Sequence, residues 1–220
     1  MKYLKPEEIS LETRKLSEMG NPGKPEGETG VAILERMNVS HYEFTSWALE
    51  LTCMPESENV LDIGCGGGLT LKRLSAEFPN SKLVGLDYSE VAVKKTSELN
   101  SEDIASGKMR IIRASIEEMP FEDESFDFIT SFETFYFWPD RLKNILEVKR
   151  VMKKGAVFIL ASEAYAHEGL SANTRQALID KNVYNPSYED YEKTFKQAGF
   201  AEYKIYTKKG TDWIAVIASA

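Results

Sequence analysis

Val60-Leu61-Asp62-Ile63-Gly64-Cys65-Gly66-Gly67-Gly68-Leu69-Thr70 decides the fold of this chain. Val60 to Ile63 reads as a short buried strand, Gly64 to Gly68 as a turn, and Leu71, Leu74 and Phe78 as the face of a helix. Glycines placed directly after a strand and before a helix let the backbone turn sharply and let a ligand lie against bare main chain. The next apolar run, Leu83-Val84-Gly85-Leu86, ends in Asp87. A carboxylate at that strand end accepts both hydroxyls of a ribose. Turn and acid together point to a nucleoside cofactor at the switch point of a doubly wound sheet.

Working outward, the same alternation continues. Met109-Arg110-Ile111-Ile112, Phe126 to Ser131 and Ala156 to Ala161 read as three more strands. Ser89 caps a helix running to about Leu99. A helix from Arg141 to Met152 is expected to stop at Gly155. Ser187-Tyr188-Glu189-Asp190 opens a last helix in capping-box form, with Tyr188, Tyr191, Phe195 and Ala198 as its apolar face and Gly199 as its end. Residues 202–207 and 212–218 form a closing hairpin. Towards the N-terminus, Pro6-Glu7-Glu8 opens a helix that Gly20-Asn21-Pro22-Gly23 closes, and residues 24–30 read as loop. Leu34, Met37, His41, Phe44, Ala48 and Leu51 then form the stripe of one long helix. The expected fold is α/β, Rossmann-like: a doubly wound, seven-stranded, mostly parallel sheet with an antiparallel C-terminal hairpin strand and an N-terminal helical extension. Residues 1–52 are that extension, a candidate lid, and residues 53–220 the α/β domain.

Composition narrows the function. Lys and Arg number 27 against 35 Asp and Glu, a formal charge of −8. This balance argues against nucleic acid or an anionic membrane as partner and favours a small molecule. No apolar run approaches the roughly 18 residues of a membrane span, and the N-terminus lacks the apolar core of a secretory signal. A cytoplasmic monomer or homodimer is expected. Cys53 and Cys65 have no histidine beside them, so no metal site is expected.

The turn also discriminates between cofactors. A dinucleotide fingerprint places its third glycine where Leu69 stands, and a Walker loop needs Gly-Lys-Ser/Thr, which is missing. Asp62, just before the turn, suits a ligand bearing an ammonium and a sulfonium better than a pyrophosphate. Val60 to Thr70 resembles the first motif of class I S-adenosylmethionine-dependent methyltransferases. Four further stretches follow in that family's order: Leu83 to Ser89, Ala114 to Phe121, Phe126-Asp127 to Pro139-Asp140, and Glu147 to Gly155. The resemblance is close over residues 58–161 and is nearest in texture to small-molecule enzymes of the quinone-biosynthesis type. It implies S-adenosyl-L-methionine as cofactor and marks residues 53–220 as the methyltransferase domain. Gly64, Cys65 and Gly66 would then make main-chain contacts to the methionine part, with Asp62 beside them. Asp87 would take the ribose and Tyr88 would lie against adenine. Ser115 and Ile116 would flank the adenine edge, and Ser131 and Phe132 would meet the methionine end. Many relatives carry Asp where Ser115 stands, so the bond to the adenine amino group is expected to be weaker or made through water.

Methyl transfer from a sulfonium is an in-line displacement, in which positioning supplies much of the acceleration. A base is needed only where the acceptor must lose a proton. Five aromatics stand between Phe132 and Trp138, rings able to enclose an apolar substrate or hold an amine. His41 and Tyr136 are the candidate catalytic residues, and Glu133, Trp138 and His167 candidate pocket residues. For each a structural role is the alternative: His41 as a core residue of its helix, the aromatics as packing. The expected function is methylation of a small-molecule acceptor. A non-catalytic sensor or partner subunit that binds S-adenosylmethionine or S-adenosylhomocysteine fits the same turn. A nicotinamide-dependent oxidoreductase keeps the ribose acid but is disfavoured by Leu69.

Overall fold

In a computed structural model, residues 9–200 and 202–220 are described; the helix start expected at Pro6 lies outside them. The chain divides into two compact units, Met1–Trp47 with Glu56–Ser115, and Ala48–Pro55 with Ile116–Ala220. This division differs from a boundary at 52/53, because the N-terminal helices group with the first three strands.

The first unit opens with α1 (Leu11–Glu18), whose N-cap is Ser10: its hydroxyl accepts the Thr13 N–H at 3.0 Å. The second helix, α2, spans Gly27–Ser40 and α3 spans Tyr42–Glu50. Two expectations are corrected here. Residues 27–30 are helical, and Gly30 is needed where the helix presses on Pro25, because a Cβ there would lie 2.7 Å from the Pro25 carbonyl carbon. The single long helix is broken at His41, which closes α2 at φ −87, ψ 3. The Thr45 hydroxyl donates to the carbonyls of His41 and Tyr42, and Ser46 donates to Tyr42 at 2.7 Å. Such back-bonding bends helices, while the apolar stripe carries on across the bend.

Then come β1 (Asn59–Ile63), α4 (Leu69–Glu77), β2 (Lys82–Asp87), α5 (Glu90–Leu99), α6 (Ser101–Ala105) and β3 (Met109–Arg113). Strands β1 and β2 pair in parallel with Val60 opposite Leu83, and β2 and β3 with Leu83 opposite Met109. Val60, Leu61, Leu71 and Leu74 are wholly buried, as a parallel strand covered on both faces requires.

The second unit holds β4 (Phe126–Phe132), a 3₁₀ turn at Phe135–Phe137, α7 (Arg141–Val151), β5 (Met152–Ser162), α8 (Ala172–Asp180), α9 (Tyr188–Gln197), β6 (Glu202–Thr207) and β7 (Ile214–Ser219). Strands β4 and β5 are parallel, while β7 is antiparallel to both β5 and β6. The strand order of the sheet is β3-β2-β1-β4-β5-β7-β6, seven strands and mostly parallel, as expected. Helix α7 does not end at Gly155: Met152 already has extended backbone, and Gly155, at φ 80, lies inside β5. There the pairing with β4 slips from Phe126–Met152 to Phe128–Val157, an irregularity that a residue free to adopt positive φ accommodates. Helix α9 has the expected capping box, and Tyr191, Phe195 and Ala198 are buried while Tyr188 is exposed. Helix α8 was not foreseen; its face is polar and none of its residues is buried. No helix among the described residues is long and apolar enough to cross a membrane.

Candidate functional site

The glycine turn of the first unit is held from three sides. Gly64, Gly66 and Gly68 have φ of 72, 52 and 81, a region where a side chain is strained. The Gly64 and Cys65 N–H groups both donate to the Leu86 carbonyl, at 2.7 and 3.1 Å. They anchor the turn to the end of β2 and are engaged there, so the methionine contacts expected of Gly64 and Cys65 cannot rest on free N–H groups. The Gly66 N–H donates to Asp87 Oδ2 at 3.0 Å. Asp87 Oδ1 accepts the Ser89 N–H at 2.9 Å, and the Tyr88 N–H is a third main-chain donor to the carboxylate. Burial pushes the Asp87 carboxyl up, and the Ser89 and Gly66 hydrogen bonds oppose that shift.

Three residues that lock the turn carry no signal in its own sequence. Asn38, on α2, donates to the Gly67 carbonyl at 3.0 Å and accepts the Leu69 N–H at 3.4 Å. Thr96 donates to the Gly66 carbonyl at 2.7 Å, and buried Asn100 to the Gly68 carbonyl at 3.1 Å, both from the end of α5. A Cβ on Gly67 would collide with the Asn38 amide, and one on Gly68 with Thr96 and Asn100. At Gly66 a Cβ would meet Leu34 Cδ2 in ordinary contact at 3.7 Å, and Gly64 and Gly66 are half-buried while Gly67 and Gly68 are buried. The residues present therefore fit a nucleoside: a half-buried glycine turn beside a buried carboxylate.

Around this turn, Asp62 is buried on β1 and Cys65 is buried with its Sγ 3.7 Å from Thr96 Oγ1. Burial, then Asp87 and Asp62, push the Cys65 thiol well up, so it is an inert small residue. Tyr88 is exposed, its ring free to lie along a flat base. The Ser89 hydroxyl donates to the Pro25 carbonyl at 2.9 Å, and Lys95 pairs with Glu35 at 2.6 Å, so the segment before α2 and α2 itself are fastened to α5. His41 is half-buried; burial first and the Arg36 charge second push its imidazole down to about 4. It is neutral at neutral pH and a weak proton acceptor. Ser115 closes the first unit, and buried Ile116 opens the second.

In the second unit the carboxyl ends of β4 and β5 carry a polar cluster. Ser131 is buried, with its hydroxyl 2.5 Å from that of Thr134, and Phe132 is buried beside it. Glu133 leaves β4 at φ 59, a conformation that a residue with a Cβ adopts at a cost of roughly 1–3 kcal/mol. The Tyr136 hydroxyl donates to its Oε2 and the Glu163 N–H to its Oε1, each at 2.5 Å. Burial pushes the Glu133 carboxyl up, against these two hydrogen bonds. Tyr136 is shifted well above its ordinary value by burial and by Glu133, so at neutral pH it is a donor and not a base. Tyr191 donates to the Ser162 hydroxyl at 2.8 Å, and its ring lies 4.8 Å from that of Phe135. Trp138 is buried edge-on against Phe135 at 5.4 Å. His167 stacks on Tyr165; its Nδ1 accepts the Gly169 N–H at 3.1 Å and its Nε2 lies 2.8 Å from Asp212 Oδ1. Nδ1 is thus tied within the loop that joins β5 to α8, and Nε2 ties that loop to the turn between β6 and β7.

A strand-turn-helix glycine motif, a ribose-type acid after β2 and a sheet that closes with an antiparallel strand define a Rossmann-like nucleoside-cofactor domain. A family profile described as a methyltransferase domain matches residues 61–160. The chain is 29% identical over 154 residues to 2-methyl-6-phytyl-1,4-hydroquinone methyltransferase 1, chloroplastic, of Oryza sativa subsp. japonica, a match that covers 70% of this chain and 44% of that protein. It is 24% identical to the uncharacterized methyltransferase YdaC of Bacillus subtilis, over 84% of this chain and 94% of that one. Phosphoethanolamine N-methyltransferase 2 of Haemonchus contortus, solved with S-adenosyl-L-methionine, shares the fold at a TM-score of 0.75 and 15% identity, over 96% of this chain and 60% of that chain. Residues 61–160 thus match a methyltransferase domain, and over most of its length the chain resembles S-adenosylmethionine-dependent methyltransferases. It spans less than half the length of the rice relative and nearly all of the Bacillus one.

Proposed function

We propose that this chain transfers a methyl group from S-adenosyl-L-methionine to a small-molecule acceptor. The observation that carries the reading is Asp87, buried and held between the Gly66 and Ser89 N–H groups beside the half-buried Gly64–Gly66 turn. The cofactor supplies a methyl group already activated on a sulfonium. The chain's own residues bind and orient it: Asp87 takes the ribose hydroxyls, Tyr88 lies along the adenine, and Asp62 neutralises the ammonium. The N-terminal extension contributes Asn38, which fixes the turn against which the methionine part lies. On the acceptor side, Glu133 is the group suited to take a proton. Burial raises its carboxyl above the ordinary glutamate value, its charge is shared with two donors, and its partner Tyr136 keeps the carboxylate aimed. His41 serves this role less well, because its low proton affinity makes it a weak base.

Isothermal titration calorimetry with S-adenosylmethionine, S-adenosylhomocysteine and NAD tests the cofactor on a single preparation. Binding of both adenosyl ligands and not NAD is expected. Asp87→Asn should bind them at least about tenfold more weakly, since a hydrogen bond to a charged group contributes about 1.5–3 kcal/mol. Binding of NAD alone, or unchanged affinity in Asp87→Asn, removes the proposal.

A further inference from the structure

Arg141 is placed where a helix least favours a cation. It is the first residue of α7, next to the partial positive charge of the helix N-terminus. Its guanidinium carbon lies 3.9 Å from the centre of the Tyr184 ring and 5.9 Å from that of Phe135. No carboxylate forms an ion pair with it among the described residues, and its Nε is buried with no hydrogen-bond partner. The acid nearest in role, Asp190, is otherwise engaged: its Oδ2 accepts the Tyr184 hydroxyl at 2.9 Å and the Ser187 N–H at 2.8 Å. The Arg141 charge helps to hold the Asp190 carboxyl down, but no hydrogen bond joins the two. A guanidinium has five N–H donors and no acceptor, so a half-buried one whose Nε has no partner is an incomplete arrangement.

The position also matters. Arg141 directly follows the loop that leaves β4, the loop that carries Glu133 and Tyr136. Phe135, which it faces, packs on Tyr191, and Tyr191 reaches Ser162 at the carboxyl end of β5. Ligands of open α/β sheets bind outside these strand ends. One face of the guanidinium lies against Tyr184, and an arginine held flat in this way has the planar fork that binds carboxylate or phosphate through two parallel N–H bonds.

We infer that Arg141 is a specificity residue that binds an anionic group, carboxylate or phosphate, on the methyl acceptor. That the ligand is the acceptor rests on the function proposed above; that the site takes an anion does not.

The test reads the Arg141 side chain directly. The ¹⁵N–¹H signal of Nε in the whole chain, assigned with Arg141→Lys, is followed while benzoate and, separately, inorganic phosphate are added, with and without S-adenosylhomocysteine. A saturable shift is expected with at least one anion, and Arg141→Gln should weaken that anion's binding at least tenfold while its melting temperature stays that of the parent. A response to benzoate alone identifies a carboxylate acceptor, and one to phosphate alone a phosphorylated acceptor. An Nε signal that neither anion moves, or equal anion affinity in Arg141→Gln, overturns the inference. Loss of S-adenosylhomocysteine binding with the anion shift intact would instead count against the proposed methyl transfer.

Discussion

At the scale of single residues, Asn38 is the most consequential side chain that the glycine motif does not announce. Its amide occupies the space that a Cβ on Gly67 would take, and it satisfies one carbonyl and one N–H of the turn. Gly67 is not at positive φ, so its need to be glycine comes from this contact alone. Asn38→Ala is expected to raise the KM for S-adenosylmethionine about tenfold, in line with two lost hydrogen bonds, and to leave the acceptor KM unchanged. Gly67→Ala should be more damaging in the parent than in the Asn38→Ala background. A double-mutant cycle on cofactor affinity checks this, and strict additivity would show that the two residues do not meet. The turn itself and Asp87 were legible because strand, glycines and acid follow one another in sequence. Asn38, Thr96 and Asn100 were not, since each reaches the turn from about thirty positions away and nothing local marks them.

At the scale of elements, the end of β4 works as one piece. The left-handed backbone at Glu133 turns its carboxylate back to accept the Tyr136 hydroxyl, three residues on, and the Glu163 N–H beyond the end of β5. The aromatic run was legible as a feature of the loop, but the division of labour within it was not. Phe135 and Trp138 pack as core, and Tyr136 donates to an acid whose proton it does not accept. The hydrogen bond from Tyr136 stabilises the ionised Glu133. Tyr136→Phe should therefore raise the Glu133 pKa further, so the acid limb of the kcat/KM profile moves to higher pH. A profile that stays in place would exclude Glu133 as the titrating base. The break between α2 and α3 was missed for a related reason. A helix kinked by Thr45 and Ser46 keeps its apolar stripe, and periodicity reports the stripe and not the kink.

At the scale of the whole molecule, His41 couples this kink to stability. Its pKa in the fold is about 4 against an ordinary 6.5. Below pH 6.5 the unfolded chain takes up a proton that the folded chain refuses, so the contribution to stability is complete above 6.5 and is lost as pH falls through 4. Over that window the loss amounts to about 3 kcal/mol at most. Urea unfolding at pH 7.5 and pH 4.5 should show it, and His41→Gln should lose less stability between the two. An equal loss in the variant would place the acid sensitivity elsewhere.

The sequence by itself determined the α/β class, the mostly parallel sheet, the glycine turn and the acid after β2. Each of these depends on the order and period of residues within a few turns of chain, where local propensity and burial act together. The tertiary structure alone decided which side chains brace the turn, which of the loop aromatics are core, and which polar groups share a proton. These depend on contacts between residues far apart in sequence. Their partners become neighbours only once the strands have paired and the helices have packed, and that is when hydrogen bonds and burial set the charge each group carries.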